Sequence, residues 1–176
     1  MIIPEEGSLL LVNKPKSWTS FDVVNKLRYL LKIKKIGHAG TLDPLASGLL
    51  LIGVGKYTKK LESLQGLDKT YEGIIEIGKT TPSFDLETPF DSSSDYMHVT
   101  PQQIAVVVEA LTGELDQIPP IYSAIKVNGQ RAYKSARKNE IIELKSRKIK
   151  VYKFEITRVH LPEIHFRVVC SKGTYI

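Results

Sequence analysis

The fourteen residues from Gly37 to Leu50 (Gly-His-Ala-Gly-Thr-Leu-Asp-Pro-Leu-Ala-Ser-Gly-Leu-Leu) set one carboxylate, Asp43, in a glycine-rich stretch that runs directly into an apolar segment ending at Val54. Gly37 and Gly40 let the backbone take a positive φ or come close to a ligand. Pro44 biases Asp43 away from the α region, so the acid stands on extended or turning backbone. Asp-Pro is also a common way to open a turn. An acid presented this way, rather than packed into a helix, suits a nucleophile or a general acid/base.

The elements around this acid can be read from spacing. Leu9 to Val12 reads as a buried strand closed by Asn13-Lys14-Pro15. Thr19 followed by Asp22 is a capping-box pattern, and Val23, Val24, Leu27, Leu30 and Leu31 continue it as a helix of about three turns. The Gly37–Pro44 stretch is then a loop, Leu49 to Val54 a strand, and Thr58 to Leu64 a short basic helix. Lys69 to Lys79 alternates as a strand with Tyr71, Gly73, Ile75 and Ile77 on one face. Residues 79–99, rich in serine, proline and acids, read as a long, exposed and mobile loop. Thr100-Pro101-Gln102-Gln103 opens a second helix that stops near Thr112-Gly113. Tyr122–Val127 reads as a strand into an Asn128-Gly129 turn, with a short helix over Tyr133–Arg137. Ile149 and Val151 change phase with Phe154 and Ile156, which a β-bulge at Tyr152-Lys153 explains. Ile164, Phe166, Val168 and Cys170 alternate cleanly. Strands outnumber helices and do not follow a βαβ rhythm, so the expected fold is α+β with a mixed, largely antiparallel sheet flanked by helices.

Composition narrows the function. The 176 residues suit a domain with a real core, and no apolar run approaches the ~20 residues of a membrane helix. The N-terminus lacks the layout of a signal peptide. One cysteine, Cys170, excludes an internal disulfide and fits a reducing cytoplasm. The four histidines lie far apart with no second cysteine, so no zinc pattern exists and a metal-free protein is expected. The net charge of +6 is concentrated: Lys126 to Lys153 holds ten Lys/Arg against two Glu, a balance of +8 that leaves −2 for the rest, and Lys26 to Lys35 holds five Lys/Arg and no acid. Tyr133 and Tyr152 interleave with the larger block, a pattern suited to nucleic acid, with rings for bases and cations for phosphates. Gly48–Lys56 does not make a phosphate loop, because Gly55-Lys56 is followed by Tyr57.

Five separated motifs in order resemble the TruB family of pseudouridine synthases: Leu10–Pro15 with Trp18-Thr19-Ser20, Gly37–Leu50, Lys69–Gly73, Ile118–Lys126 through Gly129, Tyr133, Ala136 and Arg137, and Cys170–Ile176. The resemblance implies the pseudouridine synthase catalytic fold over residues 1–176. It implies Asp43 as the catalytic residue and Tyr71 stacked on the target uracil. It also implies substrate contacts from His38, Gly40, Thr41 and Tyr175. Lys14 and Lys126 are expected as phosphate-binding or loop-supporting cations, and Asp85 as a site-shaping acid. The reaction implied is isomerisation of uridine to pseudouridine in the T-loop of tRNA, without cofactor or metal, by a cytoplasmic monomer that engages neither DNA nor membrane.

Glycoside hydrolases usually need two carboxylates. Uracil can leave as a stabilised anion, so one acid can suffice, and the single Asp43 fits isomerisation better than hydrolysis. Whether Asp43 attacks the sugar or the base, or takes a sugar proton, stays open at this point. In the family the last motif continues into an arginine that pairs with the aspartate, a helix and, in some members, a PUA domain. All three would lie past Ile176, so the chain is expected to be a partial catalytic domain. That expectation raises an alternative, a non-catalytic tRNA-binding or folding module. A guide-RNA-dependent, dyskerin-type subunit shares the Asp loop, but the Ala46–Leu49 wording and the Pro119–Lys126 segment argue against it.

Overall fold

A computed structural model describes residues 4–121, 126–127, 130–131 and 144–176. The chain divides into two compact units, Met1–Leu67 and Asp68–Ile176.

The first unit is a three-stranded antiparallel sheet with a helix against one face. Strand β1 (Gly7–Lys14) leads to helix α1 (Ser20–Leu31), then β2 (Ile36–Ala39) and β3 (Gly48–Gly55), in the spatial order β1-β3-β2. A 3₁₀ turn (Lys56–Lys60) and a short α2 (Leu61–Gln65) close the unit. Cross-strand partners share a sheet face. The register places Val12 with Leu50, Leu10 with Ile52, and Ile36 with Val54. That face is buried by Val23 and Val24 of α1, with Leu27, Leu31 and Ile33 packed at its edge. The opposite face carries Leu11 and Leu49, both largely exposed.

Three expectations need correction here. The Gly37–Pro44 stretch begins as strand, because the backbone of Ile36–Ala39 finds partners along Leu51–Val54 of β3. The Thr58–Leu64 helix is split, tight 3₁₀ through Lys60 and α only from Leu61. Leu30, expected on the apolar stripe of α1, is exposed. It lies beyond the arc that Val23, Val24, Leu27 and Leu31 turn to the sheet.

The second unit is built on a four-stranded antiparallel sheet in the order β4-β11-β10-β7. It comprises β4 (Lys69–Glu76), a small ladder of β5 (Lys79–Thr80) with β6 (Ser92–Ser93), α3 (Pro101–Ala110), β7 (Gly113–Gln117), and a second small ladder of β8 (Lys126–Val127) with β9 (Gln130–Arg131). The long hairpin of β10 (Arg147–His160) and β11 (Glu163–Cys170) completes it. The expected phase slip in β10 is a register shift between Val151 and Lys153 against β11, and a second shift falls between Ile156 and Arg158. Ile164, Phe166, Val168 and Cys170 are all buried, as their alternation requires. Ile149, Val151, Phe166, Val168 and Cys170 form one core cluster, with the Phe154 and Phe166 rings edge-to-face at 5.5 Å.

Residues 79–99 are not loop throughout. The β5–β6 ladder closes their base, and buried Thr81 and Ser83 both donate to the Asp85 carbonyl. β4 ends at Glu76, and Gly113 opens β7 two residues after the Leu111 C-cap of α3. The Tyr122–Ile125 start of the expected strand, the Asn128-Gly129 turn and the Tyr133–Arg137 helix lie outside the described residues.

Helices α1 and α3 carry full capping boxes. In α1 the Asp22 N–H donates to Thr19 Oγ1 (3.1 Å), while the Thr19 N–H and hydroxyl donate to Asp22 Oδ2 (2.8 and 2.6 Å). Thr19→Ala is expected to cost about 1 kcal/mol in a urea unfolding experiment. The Thr19 hydrogen bonds hold the Asp22 carboxyl below its ordinary 3.8. Its contribution to stability is therefore complete above about pH 3.8 and is lost as pH falls through the lower folded value. The difference in stability between wild type and Asp22→Asn, followed from pH 6 to pH 2, should shrink over that window.

Candidate active site

Asp43 lies in the connection between β2 and β3, and the backbone on both sides of it is tied to the β1–α1 corner. On one side, the Leu42 N–H donates to Ser20 Oγ (3.0 Å), with the Leu42 carbonyl 3.3 Å from the same hydroxyl. On the other, the Pro44 carbonyl accepts from the Ser17 N–H (2.7 Å) and from the Lys14 ammonium (3.4 Å). A turn bond from the Ala46 N–H to the Asp43 carbonyl (3.0 Å) closes the loop on itself. Asp43 is exposed. The backbone is thus fixed on both sides of an exposed acid, the arrangement a reacting carboxylate needs.

Lys14 is the centre of this corner. It has no solvent-accessible surface, and its Nζ lies within reach of three carbonyls, those of Trp18 (2.6 Å), Pro15 (3.0 Å) and Pro44 (3.4 Å). An ammonium carries three donors, so the three oxygens can satisfy it. Burial pushes the Lys14 pKa below 10.5, and the carboxylates of Asp43 and Asp22 partly offset that effect. Of its two expected roles, loop support is the one this geometry serves, since a buried ammonium has no surface to offer a phosphate.

His38 pairs with Ile52 in the register, which puts it on the sheet face that α1 covers. Its ring Nδ1 is in hydrogen-bond contact with the Gly40 carbonyl, and Gly40 has a φ of +82°, a turn that favours glycine. Thr41, the next residue, is exposed. Beside His38 opens a broad concavity of about 580 Å³, lined in part by Arg28, Lys34, Lys35, Glu62 and Gln65. Three of those five side chains are cationic and one is acidic. Arg28 is held there by its Nη2 bond to the Ile36 carbonyl (3.0 Å).

Tyr71 and Tyr175 belong to the second unit. Tyr71, on β4 opposite Val168, is half-buried against the core of that sheet. Tyr175 follows β11, its backbone bonded to the Gln117 side chain. Lys126 opens the β8–β9 ladder and pairs with Arg131. Asp85 turns its carboxylate onto the Glu87 N–H (3.0 Å). The structure therefore gathers Lys14, His38, Gly40, Thr41 and Asp43 in one unit and Tyr71, Lys126 and Tyr175 in the other. Sequence reasoning named Ser20 only as part of the first motif, without its contact to Leu42, and missed Gln117. The adjacent cap Thr19 marks where Ser20 sits, but nothing in the residue order pairs it with Leu42.

Residues 28–176 match the model of the TruB family pseudouridylate synthases, N-terminal domain. The chain belongs to the TruB family. A TruB relative, the tRNA pseudouridine synthase B of Flavobacterium johnsoniae, is 57% identical over 178 positions that cover 97% of this chain and 78% of the relative. The protein of the same name from Parabacteroides distasonis is 48% identical over 97% of this chain and 75% of its own. Among solved structures, the chain resembles one in a crystal structure of a Cbf5-Nop10-Gar1 complex, with a TM-score of 0.72 and 28% identity over 98% of this chain. A chain of an H/ACA RNP bound to a substrate RNA containing 2'-deoxyuridine gives a TM-score of 0.67 at 25% identity. The TruB chain spans 41% and 39% of those two solved chains.

Lys14→Met would leave carbonyls of Pro15, Trp18 and Pro44 without their buried donor. Each unsatisfied buried acceptor costs about 1–3 kcal/mol, and relief of the ammonium's own burial returns part of the total. A net loss of about 3 kcal/mol is expected by urea denaturation, against less than about 0.5 kcal/mol for the exposed control Lys16→Met.

Proposed function

We propose that this chain isomerises uridine to pseudouridine in the T-loop of tRNA, with Asp43 as the reacting carboxylate. The observation that carries this reading is the Asp43 loop. Its acid is exposed and its flanking residues are tied to β1 and α1, in a chain whose TruB relatives bear the name tRNA pseudouridine synthase B.

The reaction breaks the bond from sugar C1′ to uracil N1, turns the base and forms a bond from C1′ to C5. The proton leaves C5, and N1 regains one. The detached base must stay bound while it turns, and aromatic surfaces serve that purpose because every base has a π-face. Tyr71 and Tyr175 are the rings assigned to it. His38 and the Gly40–Thr41 backbone border the flipped nucleotide. The basic concavity beside His38 and the Lys126–Lys153 block meet phosphates, whose contacts offset the few kcal/mol spent in drawing the base out of its stack. No step requires a metal or an organic cofactor, and a monomer acting on the free T-arm suffices.

Tritium at uridine C5 is released only when the base is rejoined through that carbon. A T-arm hairpin carrying it should lose tritium with the wild-type chain. Asp43→Asn should reduce the single-turnover rate by at least about a thousandfold while leaving hairpin affinity within about threefold. Equal release by both proteins would contradict the assignment of Asp43. Binding without release by either would contradict catalysis by this chain.

A further inference from the structure

Cys170 ends the ladder between β10 and β11, yet the chain beyond it remains closely held. The Ser171 N–H donates to the Lys150 carbonyl (2.8 Å), and the Lys150 N–H donates to Ser171 Oγ (2.9 Å). The Thr174 hydroxyl donates back to the Ser171 carbonyl (2.9 Å), closing a turn in which Gly173 takes a φ of +78°. This turn carries the segment across the end of β10 to the edge strand β7. There the Gln117 carboxamide engages Tyr175 twice, its Nε2 donating to the Tyr175 carbonyl and its Oε1 accepting the Tyr175 N–H, both at 2.8 Å. A primary amide carries a donor and an acceptor side by side, as a backbone does, so one side chain takes the place of a neighbouring strand.

Arg147 is the cross-strand partner of Gln117 at the end of the β7–β10 ladder. Its guanidinium lies 5.3 Å from the Tyr175 ring centroid, within cation–π range, and its Nη1 is 3.5 Å from the Gly173 carbonyl. Two facing residues thus hold one tyrosine, Gln117 by its backbone and Arg147 by its ring.

We propose that Gln117 and Arg147 are positioning residues that set the Tyr175 ring against the substrate base. This rests on the functional reading above, in which Tyr175 contacts the uridine. Neither residue touches the reacting atoms; both act through Tyr175.

The test compares the affinity of the full chain for a T-arm hairpin carrying the target uridine with its affinity for the same hairpin made abasic there. Stacking on an aromatic ring makes the wild type prefer the uridine hairpin by about tenfold. Gln117→Met and Arg147→Met should each cut that preference to about threefold or less. The Kd for the abasic hairpin stays within about twofold in Gln117→Met, whereas Arg147→Met, which also removes a cation of the phosphate-binding block, weakens both hairpins further without restoring the preference. Tyr175→Leu should reproduce the loss. Gln117→Glu keeps the acceptor but turns an anionic oxygen toward the Tyr175 carbonyl, so it should behave like Gln117→Met. Amide exchange at Tyr175 should speed up in both Gln117 variants. A purely structural role would weaken both hairpins equally and would overturn the proposal, as would full preference retained in Gln117→Met. A wild type with no preference for the uridine hairpin overturns the functional reading itself, and shows it before any variant is made.

Discussion

One buried ammonium organises the corner on which the chemistry depends. Lys14 sits at the end of β1 with no exposed surface, and the carbonyls around its Nζ come from the chain just after β1 and from the Asp43 loop. Burying a charge is costly unless its donors are all met. Here that requirement works as a constraint on conformation, because only a loop folded so that Pro44 faces β1 supplies the third oxygen. Ser20 and Ser17 then complete the attachment, one on each side of Asp43. The loop is held by its flanks, and the acid between them is left exposed.

This arrangement explains why the first unit looks as it does. The sheet needs β1 beside β3 so that the end of β1 meets the start of β3, and the register pairs Lys14 with Gly48. Helix α1 begins at Ser20 through the Thr19–Asp22 box, and that start brings the Ser20 hydroxyl to Leu42. The cap is therefore more than a local stop signal. It fixes where a serine stands, and the serine fixes a loop twenty-two residues away. In the second unit the same economy recurs at Gln117, where a side-chain amide supplies the partner that a strand would have given.

Much of this was legible in the residue order, and the exceptions have physical causes. The alternation of Ile164, Phe166, Val168 and Cys170, the bulge at Tyr152-Lys153 and both capping boxes were read directly, since each depends on neighbours close in sequence. The β2 strand was not, because Ile36-Gly37-His38-Ala39 has little strand character of its own and is extended by β3 beside it. The hydroxyl-to-carbonyl bonds among Thr81, Ser83 and Asp85 within residues 79–99 are likewise invisible to composition. Asp43 stood out through its motif. Lys14 was seen as a cation, but its burial was invisible: a lysine in sequence says nothing about whether three carbonyls will meet it. Gln117 and Arg147 lie in strands whose pairing with each other, and with the segment after Cys170, exists only in the folded sheet.

Lys14 holds the Asp43 loop; the loop does not hold itself. Hydrogen exchange at the Ser17 and Leu42 amides reads this directly, since these two N–H groups join the loop to the β1–α1 corner. In the wild type both should be protected along with the amides of α1. In Lys14→Met the pair should lose more protection than the α1 amides, which fall only by the global loss of stability. Ser17 and Leu42 amides that stay as protected in Lys14→Met as in the wild type would contradict the account.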